Sequence, residues 1–390
     1  TEGPGIGSVE ASVDELIYNC SARKEFVLLH TEACRNEDGV WQWVPTRRWL
    51  LPRLWTNGHH HLRMSDPIKE LGDRASGDLD PASRSMLWRS DFGRIARWIS
   101  GTSIGIVLSG GGARGGAHVG AIRRMVEIGM PIDIVAGTSM GAFVGGLYCM
   151  HTDPDAVARG YAGYCAKFMD KFAQVKDLTY PTVSLFSGES FNRLIRQGFQ
   201  DVCIEDMWIP FCCVTTNITT DVPMAHLQGT AWRYVRGSMT LTTFLPPLCD
   251  GPNLLVDGGY ANNLPADVLK SMGAKTVIAL DVGTVDNTNY TNYGDALSGW
   301  WLLWKSLPLP ESIIGQPVHV PTMKDISSRL AYLTCEMQAR RVKKELIDIY
   351  IKCKVEHIST LGFDSPEAAV HIGYEEICKV FPEKWDFVRR

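Results

Sequence analysis

The chain has no apolar run long enough to cross a bilayer, which takes about 18 or more uncharged hydrophobic residues in succession, so no transmembrane helix is expected within it. It has no excess of one charge. Its 39 Lys and Arg against 43 Asp and Glu leave a net charge of −4, without the basic face that nucleic-acid readers carry, so no nucleic-acid partner is expected. It has no Cys-x-x-Cys pair, and its 11 cysteines are odd in number and scattered. The one close pair, Cys212-Cys213, lies in an apolar run. That usage reads as reduced, buried thiols in a cytosol-facing protein, not as a disulfide framework. No internal repeat is visible. No signal-peptide pattern opens the chain, and it begins at Thr1 without Met. The expectation is a piece of a longer protein, with any upstream membrane anchor left open.

What is present is 390 residues, 45% of them hydrophobic, enough for one large domain with extensions or for two or three domains. Residues 1–100 are less regular and read as an N-terminal extension or linker region. Glu25–His30 suggests one strand, the polar stretch Asp66–Ser90 a surface loop or disordered segment. Asp91–Ile99 has helical apolar spacing, with Ser90 or Asp91 as its cap. From Ile104 strands alternate with helices. Strands are expected at Ile104–Leu108, Ile132–Ala136, Phe211–Thr216, Leu254–Val256 and Lys275–Asp281, helices at about Ala117–Ile128 and Gly141–Met150. This alternation predicts an α/β fold with a mostly parallel sheet covered on both faces over residues 101–285. Residues 286–390 read as a largely helical C-terminal extension. There, Trp300–Trp304 is either an interfacial anchor or a core element, and 326–350 is an amphipathic helix packed on the domain.

The strand ending at Ala136 runs into Gly137-Thr138-Ser139-Met140-Gly141 and then a helix. A strand-to-helix elbow of this pattern pushes a serine hydroxyl out at the end of a sheet, where it can attack a carbonyl. The plainer reading is a tight turn in which Ser139 only caps the helix. The turn after the first α/β strand carries Gly110, Gly111, Gly112, Ala113, Arg114 and Gly115, containing Gly-x-Gly-x-x-Gly. A dinucleotide site is the rival reading, but that needs an acid at the end of the second strand. Asp133 stands at the wrong end of it. A Gly-rich helix N-terminus also suits a developing oxyanion, so the loop reads as an oxyanion hole. Arg114 either orients that loop or meets a substrate phosphate, unless it is only a surface Arg at a helix start.

Ser139 needs a base. His118 sits inside the helix after the glycine loop and reads as structural. His59-His60-His61 resembles a metal tract, but no Cys or carboxylate pattern supports zinc, and no metal or other cofactor is expected. Asp257, in Leu255-Val256-Asp257-Gly258-Gly259, ends an apolar strand at a glycine turn, on the same sheet end as Ser139. Alone, that turn would read as an Asx turn. As a base the carboxyl would have to be partly desolvated, since an ordinary Asp has a pKa of about 3.9.

These three pieces, in this order, resemble the patatin-like phospholipases: the oxyanion loop at Gly110–Gly115, Gly-x-Ser-x-Gly at Gly137–Gly141, and Asp-Gly-Gly at Asp257–Gly259. Further stretches resemble the catalytic region of the neuropathy target esterase branch of that family. They include Asp177-Leu-Thr-Tyr-Pro181, Trp232-Arg-Tyr-Val-Arg236, Leu245-Pro-Pro-Leu-Cys249, Asn262-Asn-Leu-Pro-Ala-Asp267 and Ser298-Gly-Trp-Trp-Leu-Leu-Trp304. The similarity runs from about residue 25 almost to the C-terminus, with Ser109 departing from the Gly that relatives often have. The resemblance implies a three-layer α/β/α fold, a Ser139–Asp257 dyad, and lysophospholipase activity, chiefly on lysophosphatidylcholine; a broader phospholipase A, a triacylglycerol lipase, and a non-catalytic lipid-binding module on the same fold are the alternative readings. It also implies upstream cyclic-nucleotide-binding-like domains, a membrane surface as partner, and residence on the cytosolic face of the endoplasmic reticulum.

Overall fold

The computed structural model describes residues 24–36, 40–50, 52–53, 56, 58–65, 80–283, 290–306, 318–321, 326 and 344–383. Strands β1 (Glu25–His30) and β2 (Gly58–Arg63) pair in parallel as a small separate sheet. Helices α1 (Pro81–Arg89) and α2 (Asp91–Ile99) follow. The main sheet has eight strands: β3 (Ile104–Leu108), β4 (Ile134–Thr138), β5 (Phe211–Asn217), β6 (Val222–His226), β7 (Leu248–Asp250), β8 (Asn253–Asp257), β9 (Thr276–Asp281) and β10 (Ile349–Lys352). Its order is β10-β9-β3-β4-β5-β8-β7, with β6 also on β5. From β10 to β5 the strands are parallel, while β6, β8 and β7 pair antiparallel.

Both sheet faces are covered, and the strands show it in sequence. In β3, Ile106 and Leu108 join one apolar cluster while Val107 joins the other, as side chains alternate across a strand. The first face is covered by α3 (Gly116–Glu127), α4 (Met140–His151), α5 (Pro154–Phe168), α6 (Glu189–Phe199) and α7 (Ala231–Ser238). The second is covered chiefly by α8 (Ala266–Ser271), through Ala266 and Leu269. Helix α9 (Pro366–Val380) packs on α3, where Tyr374 donates to Glu127 at 2.6 Å. The fold is therefore three-layer α/β/α.

The N-terminal elements are tied to this sheet by buried charge. Arg97 of α2 makes a two-pronged contact with Asp133, Nε to Oδ2 at 2.8 Å and Nη2 to Oδ1 at 2.7 Å. Asp133 Oδ2 also accepts the Ile104 N–H at 2.9 Å, so one carboxylate holds α2 at the start of β3. Arg63 of β2 donates to Asp91 at 2.7 Å.

Three expectations are revised. Asp66–Ser90 is not a loop at its C-terminal end, because α1 occupies Pro81–Arg89 with the Asp80 carboxylate accepting from Ala82 and Ser83 N–H. An Asp-Pro pair is a helix start as readily as a loop signal; residues 66–79 lie outside the described residues. The strand expected at Ile132–Ala136 runs instead over Ile134–Thr138, up to the elbow. Of the helix expected over 326–350, most lies outside the described residues, and Ile349–Tyr350 begin β10, in parallel register with Ile278 and Ala279. The segment beyond residue 285 thus supplies a sheet edge and a covering helix. Among the described residues, no helix is long and apolar enough to cross a membrane. The Gly299–Lys305 helix buries none of its residues, and Trp300 is 83% exposed.

Candidate active site

Ser139 is the single residue between β4 and α4, at φ 53° and ψ −124°. A non-glycine residue held at positive φ is strained, and such strain collects at functional turns. The turn closes only because its flanks are glycine: a Cβ on Gly137 would lie 2.6 Å from the Ala142 nitrogen, and one on Gly141 would run into the Leu108 carbonyl. Ser139 is left half-exposed at the sheet end, between residues that are buried.

The partner arrives by an unusual use of one strand edge. On β5, β4 pairs up to Thr138 opposite Val214. From the next residue the antiparallel β8 takes over that edge, with Asp257 opposite Thr215; the other edge carries β6. Two strands therefore run toward each other along β5 and meet end to end, and Ser139 and Asp257 stand at the junction. The Ser139 hydroxyl donates to Asp257 Oδ2 at 2.7 Å, across 118 positions of sequence.

Asp257 is buried, at 4% exposure. Burial pushes its carboxyl up to about 6, only partly offset by the Gly259 N–H and the Ser139 hydroxyl. The Gly259 N–H reaches Oδ1 at 2.7 Å, leaving Oδ2 to the serine. The Asp257 backbone is held by Thr240, whose carbonyl accepts its N–H at 3.1 Å, and by the Thr216 hydroxyl, which donates to its carbonyl at 2.9 Å. Gly258 packs against the Val214 carbonyl at the same junction. The pair is a desolvated carboxyl with its pKa raised toward neutrality, already bonded to a serine hydroxyl, a geometry in which a carboxylate can accept a hydroxyl proton.

The glycine loop faces the same point from β3. Its six residues are not equivalent. The Gly110 N–H is taken by Asn263 Oδ1 at 2.9 Å. The Ala113 N–H goes to the Thr360 carbonyl at 2.9 Å and the Arg114 N–H to Gly111 at 3.3 Å, and Gly115 is buried against Met140. Gly111 and Gly112 are half-exposed, and their N–H groups have no hydrogen-bond partner among the described residues. Gly112 has φ 58°, and a Cβ there would collide with the Thr360 carbonyl. Loop, serine and carboxylate together can take up a proton, form an acyl bond and receive a negative oxygen.

Other singled-out residues fall away from this point. Arg114 is buried and donates from Nε to the Ile358 carbonyl at 2.7 Å, so it orients the loop and is not a surface arginine. His118 is fully buried with Nε2 donating to the Ser109 carbonyl at 2.8 Å, and burial lowers it to about 4. His59 and His61 both donate to the Glu205 carbonyl, at 2.6 and 2.8 Å, and His60 meets Glu25 at 2.9 Å. No group of three or more His, Cys, Asp or Glu suited to a metal ion occurs among the described residues. Asp133 is the Arg97 partner already described.

Four further residues, to which the sequence assigns no role, hold the site. Ser238 at the end of α7 accepts the Ser139 N–H at 2.8 Å and donates to the Val214 carbonyl at 2.5 Å, locking the elbow to β5. Thr240 holds Asp257, and Asn263 and Thr360 hold the two ends of the glycine loop. Asn263 lies in the family-like stretch Asn262–Asp267, and Ser238 and Thr240 in the similar stretch Ser238-Met-Thr-Leu241, but the local pattern of these stretches does not say what the side chains hold.

The family profile of the patatin-like phospholipases matches residues 106–270. Over 377 residues the chain is 43% identical to neuropathy target esterase sws of Drosophila melanogaster, covering 95% of this chain and 26% of that protein. Over 385 residues it is 42% identical to patatin-like phospholipase domain-containing protein 6 of Homo sapiens, covering 95% of this chain and 27% of that protein. The chain thus spans about a quarter of the length of these relatives. Among solved structures, VipD from Legionella pneumophila overlays with a TM-score of 0.38 at 13% identity, covering 72% of this chain and 66% of that one, a likeness too distant to bear on function.

Proposed function

Because the chain carries a patatin-like phospholipase domain, we propose that it is a serine esterase of lipids with a Ser139–Asp257 dyad. Its proposed substrates are lysophosphatidylcholine and related lysolipids, cleaved to a fatty acid and glycerophosphocholine. The observation that carries this reading is the 2.7 Å bond from the Ser139 hydroxyl to a buried carboxylate whose pKa is raised to about 6.

In this mechanism Asp257 takes the Ser139 proton as Oγ bonds to the ester carbonyl carbon. The carbonyl oxygen becomes negative, and the Gly111 and Gly112 N–H groups are its proposed donors, each such donor being worth roughly 3–4 kcal/mol in a transition state. As the tetrahedral adduct collapses the ester C–O bond breaks, and Asp257 returns the proton to the departing alcohol oxygen. A water then gives its proton to Asp257 and attacks the acyl-serine, and Ser139 recovers its proton as the fatty acid leaves. Gly110, Ala113, Arg114 and Gly115 set the loop's path, Gly137 and Gly141 the elbow, and Gly258 and Gly259 the turn that orients the base. Catalysis is assigned to residues 101–285, completed by β10 and α9. In the longer protein this domain is proposed to face the cytosol at the endoplasmic reticulum membrane, downstream of cyclic-nucleotide-binding-like domains.

The test is product analysis on lysolipid, diacyl phospholipid and triglyceride, with Ser139→Ala as control. Fatty acid released from lysolipid by the parent chain and not by a folded Ser139→Ala chain is the expected result. A serine-directed organophosphate is expected to add to Ser139 by mass spectrometry. Turnover retained in Ser139→Ala would refute the dyad, and preference for diacyl lipid or triglyceride would correct the substrate.

A further inference from the structure

Between α5 and α6 the chain folds inside out. Phe172, Val175, Leu178, Tyr180, Val183 and Leu185 are between 42 and 86% exposed, while the polar residues Asp177 and Ser184 among them are buried. Single exposed apolar side chains are ordinary, but six within fourteen residues make a patch. The inversion is built, not slack. The Asp177 carboxylate accepts from the Ser187 hydroxyl at 2.5 Å and the Gly188 N–H at 3.2 Å, and its carbonyl accepts the Ser187 N–H at 2.8 Å. Thr179 N–H reaches the Leu185 carbonyl at 3.0 Å, Thr182 N–H the Tyr180 carbonyl at 2.8 Å, and the Ser184 hydroxyl the Phe186 carbonyl at 2.8 Å. The loop satisfies its own polar groups inward and thereby holds its apolar side chains in water.

This loop borders the site. Leu185 and Phe186 N–H groups bond the Thr243 and Phe244 carbonyls at 2.8 and 3.0 Å. The neighbouring Thr242 hydroxyl is 2.7 Å from the Tyr260 hydroxyl, on the turn that follows Asp257. The patch also carries a cation: the Lys176 ammonium lies 4.4 Å from the centre of the Phe172 ring. Apolar side chains flanked by a lysine, with a tyrosine at the tip, match the layering of a phospholipid surface, in which acyl chains lie beneath anionic phosphates.

We propose that the Phe172–Leu185 segment is the face on which this domain docks to a phospholipid bilayer, holding the Ser139 site against the surface that presents its substrate. The proposal rests on the lipid-esterase reading for its purpose but is tested without it. The probe is vesicles of phosphatidylcholine with a minor share of phosphatidylserine, mixed with the parent chain and with a Tyr180→Ser, Val183→Ser double variant. Both substituted side chains are exposed, so thermal unfolding is expected to be unchanged. The vesicle partition coefficient is expected to fall about tenfold in the variant, since two exposed apolar side chains that would enter the acyl layer are replaced by polar ones. Hydrolysis of a vesicle-borne lysolipid is expected to fall in parallel, with hydrolysis of a soluble p-nitrophenyl butyrate unchanged. Equal sedimentation of parent and variant, or no sedimentation of the parent, would overturn the docking face. So would a variant that binds vesicles normally and loses only soluble-ester turnover. A parent chain that binds through this loop but cleaves no lipid would support the docking face while refuting the enzymatic reading.

Discussion

Asp257→Asn is expected to abolish turnover and stabilise the fold, with a gain that depends on pH. The folded carboxyl is raised from 3.8 to about 6 by burial. A raised acid pKa means that the folded state holds its proton more tightly, so ionised Asp257 opposes folding. That cost is absent below pH 3.8, grows between 3.8 and about 6, and is complete above 6. Two pKa units at 1.36 kcal/mol each set the full cost at about 3 kcal/mol. Asparagine is isosteric and neutral at every pH. Its Oδ1 can keep the Gly259 N–H, and its amide can donate to the Ser139 hydroxyl, which turns to accept. Urea unfolding of the two chains at about pH 7.5 is therefore expected to show the variant ahead by up to about 3 kcal/mol, and by about half as much near pH 5. Every other titrating group is common to both chains and cancels. A gap independent of pH, or a variant less stable at pH 7.5, would refute the assignment of Asp257 as a desolvated, ionisable carboxyl.

The same group shapes the rate. Initial rates on a soluble ester are expected to show kcat/KM level above about pH 6 and falling tenfold per pH unit below it, because protonated Asp257 cannot accept the serine proton; a flat profile down to pH 4.5 would contradict this. Gly112→Ala places a side chain against the Thr360 carbonyl at a residue with φ 58°. It is expected to lower kcat by about a hundredfold, the cost of losing one of the two proposed oxyanion donors, with the far-ultraviolet circular dichroism unchanged. Arg97→Met leaves the Asp133 carboxylate buried without its guanidinium partner, and urea unfolding is expected to show a loss of about 3–5 kcal/mol.

The strand–elbow–helix around Ser139, the glycine loop and the Asp-Gly-Gly turn were legible because each is a local backbone requirement written in adjacent residues. Asp91–Ile99 and Ile104–Leu108 were legible from apolar spacing and lie where expected. Asp80-Pro81 was ambiguous because the same pair opens loops and helices, and the context that decides lies in packing. The strand at Ile349 was hidden because an edge strand of four residues carries too short a pattern to stand apart from a neighbouring amphipathic run.

By itself, then, the sequence determined the parts: a serine at a glycine-flanked strand-to-helix elbow, a glycine-rich loop at a helix start, a carboxylate at a strand end, and no histidine in a comparable place. Only the tertiary structure decided that the parts meet. The contact spans 118 positions and depends on β4 and β8 sharing one edge of β5, with adjacent residues Val214 and Thr215 setting their register. It also decided which N–H groups stay available, since Asn263 and Thr360 reach the loop from segments far along the chain. Desolvation and hydrogen-bond competition depend on what surrounds a group in space, and a one-dimensional pattern carries only what its nearest neighbours require.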